Sequence, residues 1–385
     1  MENLLTKFLH PKSEIGQTII VVSDLHLSAG SVVNGRYNFL EDFFADREFC
    51  EFLDYYSSGD YRGRKVELVI NGDFLDFLAV PFVPYFDDKF WSEEASLGKL
   101  DLILAAHQEV FVALNAFLKR PNKTIVYLAG NHDGELCLPR IKEHLRELFD
   151  DDVRERFRII DGPCPEYRPL PAISIRHGHE LEAPNCYNDE NQIVRDAEGI
   201  NYFVPPWGSY YVTRVINRYK KERSYINMVR PFRKFIIHEL IFDTFFILRF
   251  ITSSLFYFLR VRVAFFWQQT KNFRKILQAA KQELKLYRDD NVIIEELFEE
   301  DPRIECIIRG HAHLPVQHFY PNGNVFLNTG CWTKIYCLDF FEHNCHGLLT
   351  YAQIDVAQNA LSDQRALQAR LQVWNGRNNL PFGRF

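Results

Sequence analysis

Five times along the chain a short apolar, β-branched run stops at a cluster of Asp, Asn or His. Thr18 to Ser23 ends in Asp24-Leu25-His26, and Val66 to Ile70 ends in Asn71-Gly72-Asp73, with Asp76 close behind. Lys123 to Ala129 ends in Gly130-Asn131-His132-Asp133, Ala172 to Arg176 in His177-Gly178-His179, and Ile304 to Arg309 in Gly310-His311-Ala312-His313. Such runs read as buried strands. Helical periods between them make this an α/β pattern, in which sites form in the crevice outside the carboxyl ends of the strands. One strand that ends in His means little. Five such endings on one sheet edge mark a site.

Asp24, His26, Asp73, Asn131, His177, His311 and His313 are oxygen and imidazole donors without a thiolate. The mixture suits Mn, Fe or Zn rather than a structural zinc, and is too rich in nitrogen for calcium. These donors are too many for one ion. Two divalent ions that share a carboxylate, with Asp73 as the bridge, account for the number. Metals about 3.5–4 Å apart can activate a bridging hydroxide and clamp both sides of a displacement at phosphorus. His132 is then left beside the pair, as proton donor to the leaving oxygen or stabiliser of negative charge.

These stretches together resemble the calcineurin-like metallophosphoesterases: DLH at 24–26, GDFLD at 72–76, GNHD at 130–133, HGH at 177–179 and GHAH at 310–313. The resemblance implies a four-layer αββα sandwich. It implies one metal held by Asp24, His26, Asp73 and His313, and a second held by Asp73, Asn131, His177 and His311, with manganese first among the candidates. Asp76 matches the position whose carboxylate orients the catalytic histidine, here His132. Serine/threonine phosphatases carry Arg after the second Asp of GDxxD and Glu after GNH, where this chain has Phe77 and Asp133. The UDP-2,3-diacylglucosamine hydrolases look closer, with GHxH followed by an NTGxW stretch (Asn328 to Trp332) and a helical insert after the HG motif. The chain departs from them at His132, where they usually have Arg, and in the length of the insert.

Between the fourth and fifth endings the strand pattern stops. The chain therefore divides into a first part of the core (1–182), a basic, aromatic-rich helical insert or lid (183–290), and a second part of the core with a C-terminal helix (291–385). From Arg214 to Lys275 there are 14 Lys/Arg against three acidic residues, a net of +11 in a chain of −6, so the remainder carries −17. Such a split suggests a basic module that faces something anionic. Leu240 to Leu259 has only Asp243 and Arg249 charged over 20 residues, about the length that crosses a bilayer. A single crossing would put His177 and His311 on opposite sides of the membrane. The expectation is an amphipathic or lid helix with basic flanks that contacts lipid or acyl chains; core packing and an oligomer contact are the alternatives. Arg214, Arg218, Lys220, Lys221, Arg223, Arg230, Arg233 and Lys234 are the candidate membrane-facing cations.

Elsewhere the pattern predicts helices over Phe39 to Tyr56, Leu97 to Leu118, Pro139 to Phe149 and Leu361 to Trp374. Further strands are expected near Arg156 to Ile160, Val325 to Asn328, Ile335 to Leu338 and Leu348 to Asp355. The eight cysteines form no CxxC pair and the N-terminus shows no secretory signal, so a reducing cytoplasm is the expected setting. Cys337, His343, Cys345 and His346 fit no common zinc spacing. His179 is either a support for the metal ligands or a loop cap. His107, His144, His238 and His318 read as lacking partners.

The function expected is a cytoplasmic, membrane-associated dinuclear phosphoesterase that cleaves a phosphoester or pyrophosphate in a lipid-like or nucleotide-linked substrate. A nuclease or soluble-nucleotide phosphodiesterase is the first rival. Nucleic acid is disfavoured because the insert's aromatics form a dense apolar run rather than a stacking platform. A non-catalytic scaffold on the same fold is the second rival, disfavoured because every metal position is filled.

Overall fold

The run TIIVV forms the centre of a strand, β1 (Ile15–Val22), whose side chains alternate between two cores. Ile20 and Val22 face a helical layer, and Ile19 and Val21 face a second sheet. A strand buried on both faces must read as a continuous apolar run rather than an alternating one. In the computed structural model, residues 15–81, 88–182, 184–187, 192–270, 290–338, 348–357 and 367–376 are described.

β1 pairs in parallel with β2 (Lys65–Asn71), which pairs with β3 (Lys123–Leu128) and then β4 (Phe157–Ile160). On its other side lie antiparallel β12 (Leu349–Ala357) and β13 (Leu367–Trp374), giving the six-stranded order β13-β12-β1-β2-β3-β4. The second sheet has five strands: β5 (Glu166–Tyr167), β6 (Ile173–Arg176), β8 (Cys306–Arg309), β9 (Pro315–Phe319) and β10 (Val325–Thr329), in the order β9-β10-β8-β6-β5. Val69, Val126, Ile175, Ile308 and Leu327 meet between the sheets.

Helices α1 (Asp46–Ser57), α2 (Glu93–Ala106), α3 (Gln108–Lys119) and α4 (Pro139–Glu147) cover the first sheet through Phe49, Phe52, Leu100, Leu114 and Ile141. Helix α7 (Asp290–Glu300) covers the second through Ile294 and Phe298, which meet Ile307 and Phe326. The four layers expected from the resemblance are present.

Several expectations need correction. Leu97 to Leu118 is two helices, bent by 83° at His107. Helix α1 begins only at Asp46, because the Glu41 carboxylate instead accepts the N–H groups of Gly30 (2.6 Å) and Phe43 (3.0 Å) in an irregular turn. The insert is not free of strands: Ile193–Arg195 pairs with Asn201–Phe203, and β7 (Val229–Arg230) pairs with β11 (Tyr336–Cys337). Strands of two or three residues are too short to show a period. Leu367–Trp374 is an edge strand rather than part of a helix, because Leu367, Ala369, Leu371 and Val373 alternate with polar residues along it. The strand Pro315–Phe319 had no distinct signal. His343, Cys345 and His346 lie outside the described residues.

The insert has a core of its own, where Tyr219, Ile226, Val229 and Phe235 meet Phe246, Ile247 and Phe250. Helix α5 (Phe232–Phe242) turns at Asp243 into α6 (Thr244–Thr270). The Asp243 carboxylate caps this turn by accepting the N–H of Phe246 at 3.1 Å, and also pairs with Arg223. Among the described residues no single helix is long and apolar enough to cross a membrane.

Candidate metal centre

Strand register brings the polar endings to one rim. Val22 lies opposite Ile70 and Asn71 opposite Leu128, while Ile308 lies opposite Ile175 in the second sheet. Parallel pairing continues past the strands: His26 N–H donates to Asp73 O (2.9 Å), and Gly310 N–H donates to His177 O (3.0 Å). Asp24, His26, Asp73, His311 and His313 all have positive φ, between 51° and 66°. Non-glycine residues are strained there, and such strain clusters at functional sites. The turns also need glycine: a Cβ on Gly72 would overlap the His177 ring, and one on Gly130 the Asp73 carboxylate.

Three clusters result. Asp24, His26 and His313 converge, with His26 Nε2 3.1 Å from His313 Nε2 and His313 Nε2 3.3 Å from Asp24 Oδ1. Asp73, His177 and His311 form a second, with His177 Nε2 3.3 Å from Asp73 Oδ2. Asp73 Oδ2 is also 4.0 Å from His26 Nε2, so this carboxylate lies between the two groups. His26, Asp76 and His132 form a third, with Asp76 3.1 Å from His26 Nδ1 and 3.0 Å from His132 Nδ1. Asp76 was expected beside His132 alone; it holds both rings.

These residues fit a divalent cation pair. Asn131 Oδ1 and His177 Nε2 are buried without a hydrogen bond, which is costly unless something else binds them. Two of the metal-facing imidazoles are oriented through their other nitrogen, His26 by Asp76 and His177 by the carbonyl of Asn71 (2.7 Å). Separations near 3 Å are what N and O donors adopt around a common ion at about 2.0–2.2 Å.

The field here is strong. Burial alone would raise the Asp24 pKa, but His177 and His313 lower it to about 2. Asp73 is likewise held well below its usual range, because His177 and His132 outweigh burial. Burial acts to lower the pKa values of His132 and His177. Asp76 and Asp73 lift His132 to about 9, and Asp73 and Asp24 lift His177 to about 10. His313 falls to about 4, mainly through burial.

The surroundings contain residues that sequence reasoning missed. Asp133 accepts hydrogen bonds from Gly130 N, Phe74 N and Tyr127 Oη, which ties the Asp73 turn to the Asn131-His132 turn. Its place in GNHD was the available signal. Glu182 lies 3.0 Å from His311 Nε2, with Asn185 3.0 Å from the same carboxylate. His179 is buried, 5.2 Å from the Tyr187 ring and 5.4 Å from the His177 ring, so it packs behind a proposed ligand. His107 has partners after all, in Asp46 (2.6 Å) and Glu41 (3.4 Å), although it lies outside the three clusters. His144 pairs with Asp101 at 3.1 Å and His238 with Glu239 at 3.3 Å, and the His318 ring lies 4.6 Å from that of Tyr320.

Two sheets between helical layers, with imidazoles and carboxylates gathered at one rim, define an α/β scaffold that carries a candidate two-metal centre. The chain belongs to the calcineurin-like phosphoesterase family, whose profile matches residues 17–315, and members of that family use a dinuclear divalent metal centre. Solved structures similar to it include a dimetal phosphatase from Danio rerio, 11% identical over 90% of this chain and 94% of that one, with a TM-score of 0.38. A predicted phosphoesterase from Streptococcus pneumoniae is 11% identical over 94% and 91%, with a TM-score of 0.28. Vacuolar Protein Sorting 29 from Cryptosporidium parvum is 10% identical over 94% and 98%, with a TM-score of 0.29. No curated protein sequence matches the chain.

Proposed function

We propose that this phosphoesterase-family chain hydrolyses a phosphoester or pyrophosphate bond in a lipid-like or nucleotide-linked substrate, at the inner face of a membrane. The observation that carries the chemistry is Asp73, which stands between the Asp24/His26/His313 group and the His177/His311 group. Asp24, His26, Asp73 and His313 would hold one divalent ion, and Asp73, Asn131, His177 and His311 the other. Manganese is first in line, with iron or zinc as alternatives for this N/O donor set. When bound, such a pair supplies a water of lowered pKa and neutralises charge at phosphorus. His132, fixed through Nδ1 by Asp76, keeps Nε2 for proton donation to the leaving oxygen.

The lipid half of the reading rests on the α5–α6 hairpin. Phe242, Phe245 and Phe256 are 74%, 76% and 67% exposed, and Ile237, Leu240, Ile241, Leu248 and Leu255 are exposed with them. Isolated exposed apolar residues are ordinary, but a continuous set marks an interaction surface. Arg218, Lys221, Arg233 and Lys234 are exposed nearby and suit an anionic leaflet. Lys220 does not join them: it is buried and pairs with Asp42 at 2.6 Å. Arg223 also turns inward, to Glu239 and Asp243.

The test is turnover of bis(p-nitrophenyl) phosphate and of UDP-diacylglucosamine by metal-reconstituted protein, with and without anionic liposomes. Metal-dependent cleavage of the lipid-linked substrate that rises with liposomes supports both halves. Cleavage of the soluble diester alone keeps the metal chemistry and removes the lipid substrate.

A further inference from the structure

Arg230 stands apart from the other cations of the insert. Its strand, β7, is joined to β11 by hydrogen bonds from Tyr336 N to Met228 O (3.0 Å) and from Leu338 N to Arg230 O (2.9 Å). Strand β11 continues a loop that walls the metal centre. Within that loop Trp332 N donates to Asp24 O at 3.1 Å, and Cys331, Thr333 and Ile335 share a cavity with His313. The insert therefore pairs the strand that carries Arg230 with the strand that follows the wall of the site.

The guanidinium is partly buried and fixed from one side. Nη1 donates to the carbonyls of Asn227 (2.8 Å) and Val229 (3.1 Å). Among the described residues no carboxylate pairs with Arg230, and no acceptor meets its Nε or Nη2. Three other insert cations behave differently: Lys220, Arg223 and Arg249 each hold a carboxylate. The charge of Arg230 nonetheless reaches Asp24 and Glu182, and it helps to hold down the pKa of His313 behind the larger effect of burial. Glu182, the nearby carboxylate, is engaged by His311 and Asn185. A partly desolvated cation without an anion is costly, and an arriving anion relieves the cost.

We propose that Arg230 is a substrate-binding residue, whose free Nε and Nη2 edge takes non-bridging oxygens of the phosphoryl group presented at the metal centre. A planar two-donor edge matches phosphate oxygens better than an ammonium does. Pro231 follows directly and begins α5, so this anion subsite and the exposed apolar hairpin are adjacent along the chain. The inference rests on the phosphoesterase reading.

Calorimetric titration of the manganese-loaded protein with inorganic phosphate tests it without turnover. Charge-assisted hydrogen bonds of this kind lead us to expect phosphate binding about 10- to 100-fold weaker in Arg230→Gln. Metal content and thermal midpoint should be unchanged. Arg230→Lys keeps the cation and can still meet the Asn227 and Val229 carbonyls; it should fall between the two. Equal phosphate affinity in all three proteins, or no phosphate binding by the unaltered protein, overturns the proposal. So does a loss of affinity in Arg230→Gln that only follows a loss of metal. Failure of the unaltered protein to cleave any phosphoester strikes the phosphoesterase reading instead, since phosphate affinity is read separately.

Discussion

The carboxylate of Asp76 joins two imidazoles: Oδ2 lies 3.1 Å from His26 Nδ1, and Oδ1 lies 3.0 Å from His132 Nδ1. Oδ1 also accepts the N–H groups of Leu78 and Ala79 at 3.1 and 3.0 Å, which fixes the carboxylate at the start of a short 3-10 turn. One side chain thus sets the ring orientation of a proposed ligand and of the proposed proton donor. Asp76→Asn keeps the shape but removes the charge and one acceptor. It should lower kcat and also weaken metal binding, each by about 10- to 100-fold, as expected when a ligand's supporting partner is lost. Turnover and metal titration measured together decide this. A fall in kcat with unchanged metal affinity would assign Asp76 to His132 alone.

Asp73→Asn should be more severe. The carboxylate lies 3.3 Å from His177 Nε2 and 4.0 Å from His26 Nε2, so it stands between both halves of the centre, and its Oδ1 accepts the His132 N–H at 2.8 Å. Loss of a shared ligand should exceed the roughly 100-fold upper range for a supporting residue. The variant should bind fewer than two ions by elemental analysis and show no measurable turnover. Two bound ions and retained activity would sink the two-metal assignment.

What could be read from the sequence was what lies close along the chain. Asp24, Asp73, Asn131, His177 and His311 each follow a buried strand within a few residues, and parallel register brings such endings together. What could not be read depends on partners distant in sequence or on competing periods. Leu367 and Leu371 fit a helical spacing as well as a strand's, and only pairing with Leu349–Ala357 chooses between them. His107 takes its partners from Glu41 and Asp46, about sixty residues away. Arg230 is one basic residue among many until β7 meets β11.

The hairpin prediction separates membrane contact from chemistry. Phe242 and Phe245 flank the turn at Asp243 and are among the most exposed large apolar residues described. Burial of a Phe side chain contributes roughly 1.5–3 kcal/mol. Phe242→Asp with Phe245→Asp should therefore reduce co-sedimentation with anionic liposomes by about 100-fold or more. Cleavage of a soluble diester should be unchanged. Equal liposome binding by the double variant would remove the hairpin from the membrane.

His107 gives the fold a dependence on pH that is separate from the metal centre. Burial alone would lower its pKa, but Asp46 and Glu41 outweigh burial and raise it to about 9 from an ordinary 6.5. A histidine whose pKa is raised on folding stabilises the native state fully below its unfolded pKa. That contribution declines from pH 6.5 upward and is gone above about pH 9. At about 1.4 kcal/mol per pH unit between 6.5 and about 9, it is roughly 3–4 kcal/mol. The stability difference between the unaltered protein and His107→Gln, measured by urea denaturation of the metal-free forms, should be largest near pH 6 and shrink towards pH 9.5. A difference that stays constant across that range would show that His107 acts at the α2–α3 bend by packing, not by its charge.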